Sequence, residues 1–177
     1  KLWQNEELWA YLAIILGGTL LVGWNIVPMF EGQVGEALRH ALFQVSSIIS
    51  TTGYATTDYN FWPEFSRGIL IALMVIGACS GSTGGGMKVG RILVLLKAFR
   101  LNIHSMLRPR SVQRARMGGQ VLDTRVIESA QAYLSAYAIV VGISVLLLGL
   151  DGFSVESNIT AVLSCISNVG PGLGQGG

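Results

Sequence analysis

Residues 46–54 read Ser-Ser-Ile-Ile-Ser-Thr-Thr-Gly-Tyr, and residues 164–171 read Ser-Cys-Ile-Ser-Asn-Val-Gly-Pro. When the second stretch is aligned with the first, identical residues coincide at Gly35/Gly152, Val45/Val162, Ser47/Ser164, Ile49/Ile166, Ser50/Ser167 and Gly53/Gly170. In both copies a short apolar segment runs into a polar turn that contains glycine, beside a long apolar segment. This pattern is typical of a helix that enters a membrane, stops and returns as an extended loop, and two copies indicate a pore built from repeats.

The composition argues against a soluble domain. Of the 177 residues, 51% are hydrophobic and only 12% are charged, whereas soluble domains average about 25% charged residues. A very apolar soluble helical domain is the alternative, and it is disfavoured because the chain has too little polar surface. The chain begins with Lys1 and ends in a glycine-rich stretch without a visible signal peptide, so we expect a piece of a longer protein.

Apolar segments of different lengths predict the helices. Residues 8–27 and 126–150 are long enough to cross about 30 Å of hydrocarbon, and they are predicted as outer helices. The segments 36–50 and 154–167 are too short and are predicted as pore helices. Residues 65–100 predict one inner helix that the stretch 80–90 interrupts. Irregular backbone at membrane depth is stable only where it is buried in protein or lines water, so this break indicates a transport site or gate.

We therefore expect an all-α integral membrane fold of tandem helix–re-entrant pore helix–helix repeats with extended filter loops. Residues 1–100 form the first repeat, 101–125 a basic linker, and 126–177 an incomplete second repeat. The predicted filter loops are 51–55 and 168–172.

The charged residues predict the orientation. Nine of the 12 basic residues fall in one segment, at Lys88, Arg91, Lys97, Arg100, Arg108, Arg110, Arg114, Arg116 and Arg125. The positive-inside rule places residues 88–125 in the cytoplasm. Six of the ten acidic residues flank the opposite helix ends, at Glu31, Glu36, Asp58, Glu64, Asp151 and Glu156. Both pore helices then enter from the outer face, and both filter loops face outward.

The glycine turns suit a filter for a cation. A potassium filter replaces the hydration shell of the ion with backbone carbonyl oxygens, and glycine tolerates the positive φ angles that such a loop needs. The C-terminal dipole end of each pore helix also favours a cation. The alternative is that these are ordinary glycine turns between helices, which the repeat behind two matched short helices disfavours.

Two further classes of site are disfavoured. Residues 81–88 resemble a phosphate loop, but Gly86 is followed by Met87, Lys88 and Val89 instead of Gly-Lys-Ser/Thr, so the Walker A pattern fails. No Ser/His/Asp order, paired carboxylate or His-rich metal motif is visible, and we expect no enzyme.

Cys79 and Cys165 have no metal-ligand spacing and are interpreted as packing thiols. His40 and His104 are interpreted as structural or surface residues.

Three motifs in this order carry a family resemblance: Thr-Thr-Gly-Tyr-Ala-Thr-Thr-Asp-Tyr (51–59), Gly-Ala-Cys-Ser-Gly-Ser-Thr-Gly-Gly-Gly-Met-Lys (77–88) and Ser-Asn-Val-Gly-Pro-Gly (167–172). Together they resemble the Trk/Ktr/HKT superfamily of potassium transporters, most closely its bacterial TrkH family. The resemblance covers essentially the whole chain. In that superfamily one polypeptide holds four helix–pore-helix–helix units around one pore. This chain resembles the third unit and most of the fourth.

The resemblance implies potassium transport across the bacterial inner membrane, with the potassium ion as the bound species and no organic cofactor. The implied filter residues are Thr51, Thr52, Gly53 and Tyr54 in one loop and Asn168, Val169, Gly170 and Pro171 in the other. Potassium would be held at Thr51, Thr52, Gly53, Asn168, Val169 and Gly170. The implied intramembrane gating loop contains Gly81, Ser82, Thr83, Gly84, Gly85, Gly86 and Lys88. Neither implied filter loop has the sequence Thr-Val-Gly-Tyr-Gly of an archetypal potassium filter. Lys88 and Arg91 would lie near the inner mouth, or they serve only as positive-inside anchors.

The implied partners are membrane lipid, a cytoplasmic nucleotide-binding TrkA-like regulatory subunit and a second copy of the chain. The basic segment could bind anionic lipid, nucleic acid or protein, or serve topology alone; we expect no nucleic acid. The alternative function is a secondary carrier that binds a small solute at the broken helix. An anionic solute would need a helix N-terminus or an arginine in the cavity, whereas the pore helices present C-termini. A structural scaffold would not explain the repeated short helices.

Overall fold

The computed structural model describes residues 5–107, 116–117, 120–121 and 123–172. The helices in these ranges are α1 (Glu6–Ile26), α2 (Val34–Ile49), α3 (Glu64–Ile76), α4 (Val89–Leu107), α5 (Thr124–Leu148) and α6 (Val155–Ser167). Short 3-10 turns follow α1, precede α3 and follow α5, at Val27–Phe30, Tyr59–Phe61 and Gly149–Asp151. Two strands of two residues each, β1 (Arg116–Met117) and β2 (Gln120–Val121), pair antiparallel. The fold is all-α, with this small β pair as a minor addition.

Helix length separates two classes of helix. The segments Glu6–Phe30 and Thr124–Leu148 are each 25 residues long and are apolar enough to cross a membrane. The helices that follow them are shorter, with 16 residues in α2 and 13 in α6. At 1.5 Å per residue, neither short helix covers the thickness of the hydrocarbon layer.

Polar side chains set the N-termini of three helices. The side chains of Asn5, Asp123 and Ser154 accept hydrogen bonds from backbone N–H groups in the first turns of α1, α5 and α6. Such caps satisfy donors that a helix leaves unpaired at its start. These three helices therefore begin directly after an Asn, Asp or Ser, whereas the short helix α2 follows Gln33 without a side-chain cap.

The core lies where α2 packs between α1 and α3. Its fully buried side chains come from all three helices and include Val22, Ile26, Val45, Ile48, Ile49, Leu70 and Met74. Small residues on α1 allow this approach, since a Cβ atom added at Gly18 would already lie 3.4 Å from the Val45 side chain. One face of the short helix α2 is thus buried in protein, while Val34, Leu42 and Phe43 leave apolar side chains exposed on its other face.

The second unit, α5 and α6, joins the first at two levels. On one side, the Arg67 guanidinium on α3 lies 3.0 Å from the Glu156 carboxylate on α6. On the other, the Arg91 guanidinium on α4 lies 4.0 Å from the centre of the Tyr133 ring on α5, a cation–π geometry. Most of α5 is exposed, and Ala130 is its buried residue. The outward surface of α5 is apolar, as expected for a helix that faces lipid.

The broken helix differs from its predicted bounds. Its first half ends at Ile76 instead of residue 80, because Gly77 turns the chain at a φ of +68°. Its second half begins at Val89 and continues to Leu107 instead of ending at residue 100. Apolar residues such as Ile103, Met106 and Leu107 extend that helix into the segment predicted as a linker. The remainder of the predicted basic linker falls mostly outside the described residues.

The close approach of α1 and α2 gives a first prediction. A Cβ atom added at Gly23 would lie 2.7 Å from Cδ2 of Leu38 and 3.6 Å from Cβ of Ala41, whereas nothing lies within 4 Å of one added at Gly17. We expect Gly23→Val to destabilise the fold by about 1–3 kcal/mol through overpacking. The matched variant Gly17→Val on the same helix should have a much smaller effect. Thermal unfolding of the detergent-solubilised protein tests this, and equal losses in Tm would contradict it.

Candidate functional site

The two predicted filter loops meet backbone to backbone. A Cβ atom added at Gly53 would lie 2.1 Å from the carbonyl oxygen of Val169 and 3.0 Å from Cδ of Pro171. No side chain fits in that space, so only glycine allows this contact. The structure therefore brings together two segments that are more than a hundred residues apart in the sequence.

The same turn ends both short helices. The N–H groups of Thr51 and Asn168 donate to the carbonyls of Ile48 and Cys165 at 3.0 and 3.2 Å. One residue later, the N–H groups of Thr52 and Val169 both donate at 2.9 Å, to Ser47 and Ser164 respectively. The sequence repeat is thus a repeat of backbone hydrogen bonds that satisfy the last carbonyls of each helix.

The dihedral angles of the two turns also agree. Thr51 and Asn168 are left-handed, at φ +59° and +56°, and the glycines two residues later have φ of +78° and +106°. Asparagine and glycine adopt this region readily, but a β-branched threonine there is uncommon and strained. The first turn therefore holds a backbone geometry that its own residue type disfavours, which surrounding contacts must impose.

The side chains around the two turns differ. The Ser47 hydroxyl donates to the carbonyl oxygen of Tyr54 at 2.6 Å and anchors the first loop to its helix. Ser164, which aligns with Ser47, is buried, and its hydroxyl has no hydrogen-bond partner among the described residues. The first loop is therefore tied to its helix by one hydrogen bond that the second loop lacks.

The predicted gating residues lie in the irregular connection between α3 and α4, residues 77–88, which we call the glycine loop. Backbone hydrogen bonds close its stem. The N–H groups of Met87, Lys88 and Val89 donate to the carbonyls of Val75, Ile76 and Ala78 at 3.0, 2.8 and 3.1 Å, respectively. The returning chain satisfies carbonyls that the interruption of the helix would otherwise leave unpaired.

The tip of the glycine loop touches both filter turns. A Cβ atom added at Gly84 would lie 2.4 Å from Oγ1 of Thr51, and one added at Gly85 would lie 2.3 Å from the carbonyl oxygen of Ser167. The loop therefore packs directly against the ends of α2 and α6, and the absence of side chains at these two positions makes this contact possible.

Two tyrosines on α5, which sequence reasoning missed, hold this arrangement from the side. The Tyr133 hydroxyl donates to the carbonyl oxygen of Gly86 at 3.2 Å, and the Tyr137 hydroxyl lies 3.3 Å from Oγ of Ser167. Their spacing of four residues places both on one face of the helix. In the sequence, this spacing indicates that the two tyrosines share a helix face, but it does not indicate what that face contacts.

The basic residues near the loop are engaged with protein groups. The Lys88 ammonium donates to the carbonyl oxygen of Ser82 at 2.6 Å, across the loop itself. The Arg91 guanidinium stacks on Tyr133. Both residues therefore stabilise the glycine loop and its surroundings. The sequence predicted a position near the inner mouth or a role as positive-inside anchors, and neither interpretation specified these two contacts.

A cleft with polar lining residues lies next to the two filter loops. This cleft of about 450 Å³ is lined by Ala55, Thr56, Thr57, Asp58, Tyr59, Asn60, Pro171 and Gly172. The Tyr59 hydroxyl donates to the carbonyl oxygen of Gly172 at 3.4 Å, which joins the two loops. Burial, and to a lesser extent the Asp58 carboxylate, raises the pKa of Tyr59, so the phenol stays protonated and able to donate. Nearby, Nδ1 of His40 lies 2.9 Å from Oγ1 of Thr56.

The filter turns 51–54 and 168–171 offer backbone carbonyl oxygens, the hydroxyl groups of Thr51, Thr52 and Tyr54, and the amide oxygen of Asn168. Within the described residues, no group of three or more His, Cys, Asp or Glu side chains could hold a metal ion. Neutral carbonyl dipoles without carboxylates suit a monovalent cation that must leave again, because tight binding would prevent conduction. The geometry is compatible with cation passage, and the two C-terminal helix ends favour positive charge at the loops.

The chain is similar to known transport proteins over most of its length. The family model described as "TrkH: Cation transport protein" matches residues 8–176. The chain is 35% identical over 178 residues to the Trk system potassium uptake protein TrkH of Salmonella typhimurium, covering 97% of this chain and 36% of that protein. It is 40% identical over 140 residues to the Trk system potassium uptake protein TrkH of Vibrio parahaemolyticus, covering 79% of this chain and 29% of that protein.

A solved structure is similar over almost the whole chain. The crystal structure of the potassium transporter TrkH from Vibrio parahaemolyticus superimposes with a TM-score of 0.89 at 35% identity, covering 98% of this chain and 37% of that chain. This chain therefore spans little more than a third of the length of the relatives that it matches.

The left-handed turn after α6 gives a prediction for the site. Asn168 is exposed, so substitutions there test backbone conformation with little change in packing. We expect Asn168→Thr to cost about 1 kcal/mol, because it puts a β-branched residue at φ +56°. The control Asn168→Gly should leave stability nearly unchanged. Thermal unfolding measures both, and a threonine variant as stable as the glycine variant would show that the turn is not left-handed.

Proposed function

The chain belongs to the TrkH family of cation transport proteins, and we propose that it forms part of a pore that carries potassium across the bacterial inner membrane. The observation that carries this proposal is the contact of two matched filter turns with each other and with the glycine loop. The family is one of transporters, so the expectation that the chain is not an enzyme is confirmed by its membership.

In this proposal, potassium loses its hydration water to carbonyl oxygens of the two turns. The ion is cargo, and its ligands would come from Thr51, Thr52, Gly53, Asn168, Val169 and Gly170, with Tyr54 and Pro171 completing the loops. Support comes from the equal hydrogen bonding and matching positive φ angles of the two turns. Two turns cannot surround an ion, so the remaining ligands would come from equivalent turns elsewhere in a full-length protein.

We further propose that the glycine loop is the gate. Gly81, Ser82, Thr83, Gly84, Gly85, Gly86 and Lys88 lie on it, and its tip contacts both filter turns. In this proposal, the tip of the loop lies in the path of ions that leave the filter, which its contacts with Thr51 and Ser167 support. Passage would then require the tip to move, while the backbone hydrogen bonds of the stem stay in place.

The proposed orientation follows from the charges, and the proposed partners follow from the family resemblance. We propose that the filter loops face outward and that residues 88–125, with most of the basic residues, face the cytoplasm. A nucleotide-binding TrkA-like regulatory subunit would dock on that basic face, and the chain would work as a homodimer in the membrane. The word "system" in the names of the relatives is consistent with a transporter that works with other subunits.

A secondary carrier that binds an anion at the broken helix receives less support. The N-terminus of α4 would be the natural anion site there. Its Gly90 N–H, however, already donates to the Glu7 carboxylate, and Arg91 stacks on Tyr133. The groups that would hold an anion at the break therefore bind other parts of the chain.

The filter proposal predicts a graded loss of selectivity. Gly53→Ser and Gly170→Ser both place a Cβ atom on a backbone with positive φ, but only at Gly53 does it also collide with the facing loop. We expect the preference for K⁺ over Na⁺ to fall about tenfold for Gly170→Ser and further for Gly53→Ser, since such strain costs about 1–3 kcal/mol. Uptake of both ions by the full-length protein in liposomes measures this.

The matched control for these variants is Gly152→Ser. Gly152 has a φ of +77° and open space around it, but it lies before α6 and away from the filter. The Gly152→Ser variant should lose about as much stability as the two filter variants and should keep the preference for K⁺ over Na⁺. Unchanged selectivity in both filter variants would count decisively against the proposed filter.

The gate proposal predicts different outcomes for two neighbouring glycines. Gly85→Ala places a Cβ atom 2.3 Å from the carbonyl oxygen of Ser167 and must displace the tip, whereas Gly81→Ala meets nothing within 4 Å. We expect Gly85→Ala to change the K⁺ flux several-fold, in the range produced by about 1–2 kcal/mol, and Gly81→Ala to leave it unchanged. Flux assays under identical ion gradients compare them. Equal fluxes in both variants would argue against a gate at the tip.

A further inference from the structure

One carboxylate outside the proposed filter and gate ties the two sides of the glycine loop together. Oε1 of Glu7 accepts hydrogen bonds from the backbone N–H of Ser80 at 2.6 Å and from the Ser80 hydroxyl at 2.7 Å. The same oxygen accepts a third from the N–H of Gly90 at 3.1 Å. Ser80 lies on the outgoing side of the loop, and Gly90 lies in the first turn of α4, after the loop has returned. A single atom on α1 therefore bridges the entry and the exit of the loop.

The surroundings of this carboxylate are built to receive it. A Cβ atom added at Gly90 would lie 2.1 Å from Oγ of Ser80 and 2.9 Å from Oε1 of Glu7, so a side chain there would exclude the carboxylate. The N–H of Gly90 belongs to the first turn of α4, where a helix attracts negative charge. Glu7 thus caps α4 from another helix, and hydrogen bonds to an ionised acceptor are the stronger kind.

The start of α1 is itself held in place. The Asn5 side chain accepts a hydrogen bond from the Glu7 N–H at 3.0 Å, and the neighbouring Glu6 forms an ion pair with Lys97 on α4. The carboxylate therefore projects from a fixed helix end. It forms part of the wall of a cleft of about 400 Å³ between α1, α4 and α5, which Arg91 and Arg125 also line.

We propose that Glu7 is a positioning residue that holds the glycine loop in the closed conformation beneath the filter. The proposal rests on the proposed gating function of that loop. Ser80 lies between the stem bond at Ala78 and the tip, so movement of the tip would draw Ser80 away while Gly90 stays in α4. Oε1 of Glu7 cannot keep all of its donors when Ser80 and Gly90 separate. The carboxylate therefore stabilises the closed state over the open state, and its removal shifts the population toward the open state.

The test uses the full-length protein and four variants. Glu7→Ala removes the acceptor, Glu7→Gln keeps an oxygen acceptor without the charge, and Ser80→Ala removes one donor. The control Glu128→Ala removes an exposed carboxylate near the start of α5 that does not line this cleft. Two readouts are taken: hydrogen–deuterium exchange of peptides that contain Ser80 and Gly90, and basal K⁺ flux in liposomes without any activating partner.

We expect exchange at Ser80 and Gly90 and basal K⁺ flux each to rise at least about tenfold in Glu7→Ala, because three hydrogen bonds to the carboxylate are lost and even one charge-assisted bond accounts for such a factor. Glu7→Gln and Ser80→Ala should give smaller increases, and Glu128→Ala should leave exchange at both amides unchanged. If Glu7→Ala does not fold, Glu7→Gln and Ser80→Ala still test the proposal, because both should exchange faster at Ser80 and Gly90 than the unchanged protein. Unchanged exchange in the Glu7 variants would overturn the bridging role. Faster exchange with unchanged flux would leave that role in place and overturn the gating function instead.

Discussion

The structure depends on contacts in which backbone packs on backbone without side chains between. At Gly53 the two filter turns touch, and at Gly84 and Gly85 the glycine loop touches both turns. Each contact leaves no room for a Cβ atom, so three glycines fix how closely these segments approach. The two short helices can then end close together. The last carbonyl groups of each helix accept hydrogen bonds from the turn that follows it, and the glycine loop packs beside both helix ends. Without this approach, irregular backbone would lie unsupported at membrane depth.

The two copies of the repeat are more alike in backbone conformation than in residue type. Thr51 and Asn168 share no side-chain chemistry, yet they have nearly the same φ and the same hydrogen-bond pattern. The following glycines are identical because positive φ is least costly for glycine. The strained residue is therefore Thr51, and its side chain is the one that contacts the tip of the glycine loop at Gly84. Strain in the turn and contact with the proposed gate occur at the same position, so movement of the tip would relieve or alter a conformation that packing now imposes.

Much of the fold could be predicted because hydrophobic length and glycine placement are local signals. The all-α class and the family were predicted correctly, and the short helices follow the long ones as their lengths indicated. The ends of the broken helix could not be predicted, since Gly77 was one glycine among 23 and nothing local marks it as the turning point. Glu7, Tyr133 and Tyr137 were also missed. Each belongs to a common residue type on a helix, and its significance arises only from contacts with the distant glycine loop.

The interruption of the helix is stabilised unequally along its length, and this inequality suggests which part can move. The stem is closed by backbone hydrogen bonds from Met87 and Lys88 back to α3 and from Val89 to Ala78, which would cost as much to break as a turn of helix. The tip is held by close packing of glycines, by one tyrosine hydroxyl at Gly86 and by the Lys88 ammonium at Ser82. Local opening begins where few backbone hydrogen bonds must break. In the proposed gate, the tip can therefore move away from the proposed filter while the two halves of the helix keep their relative position.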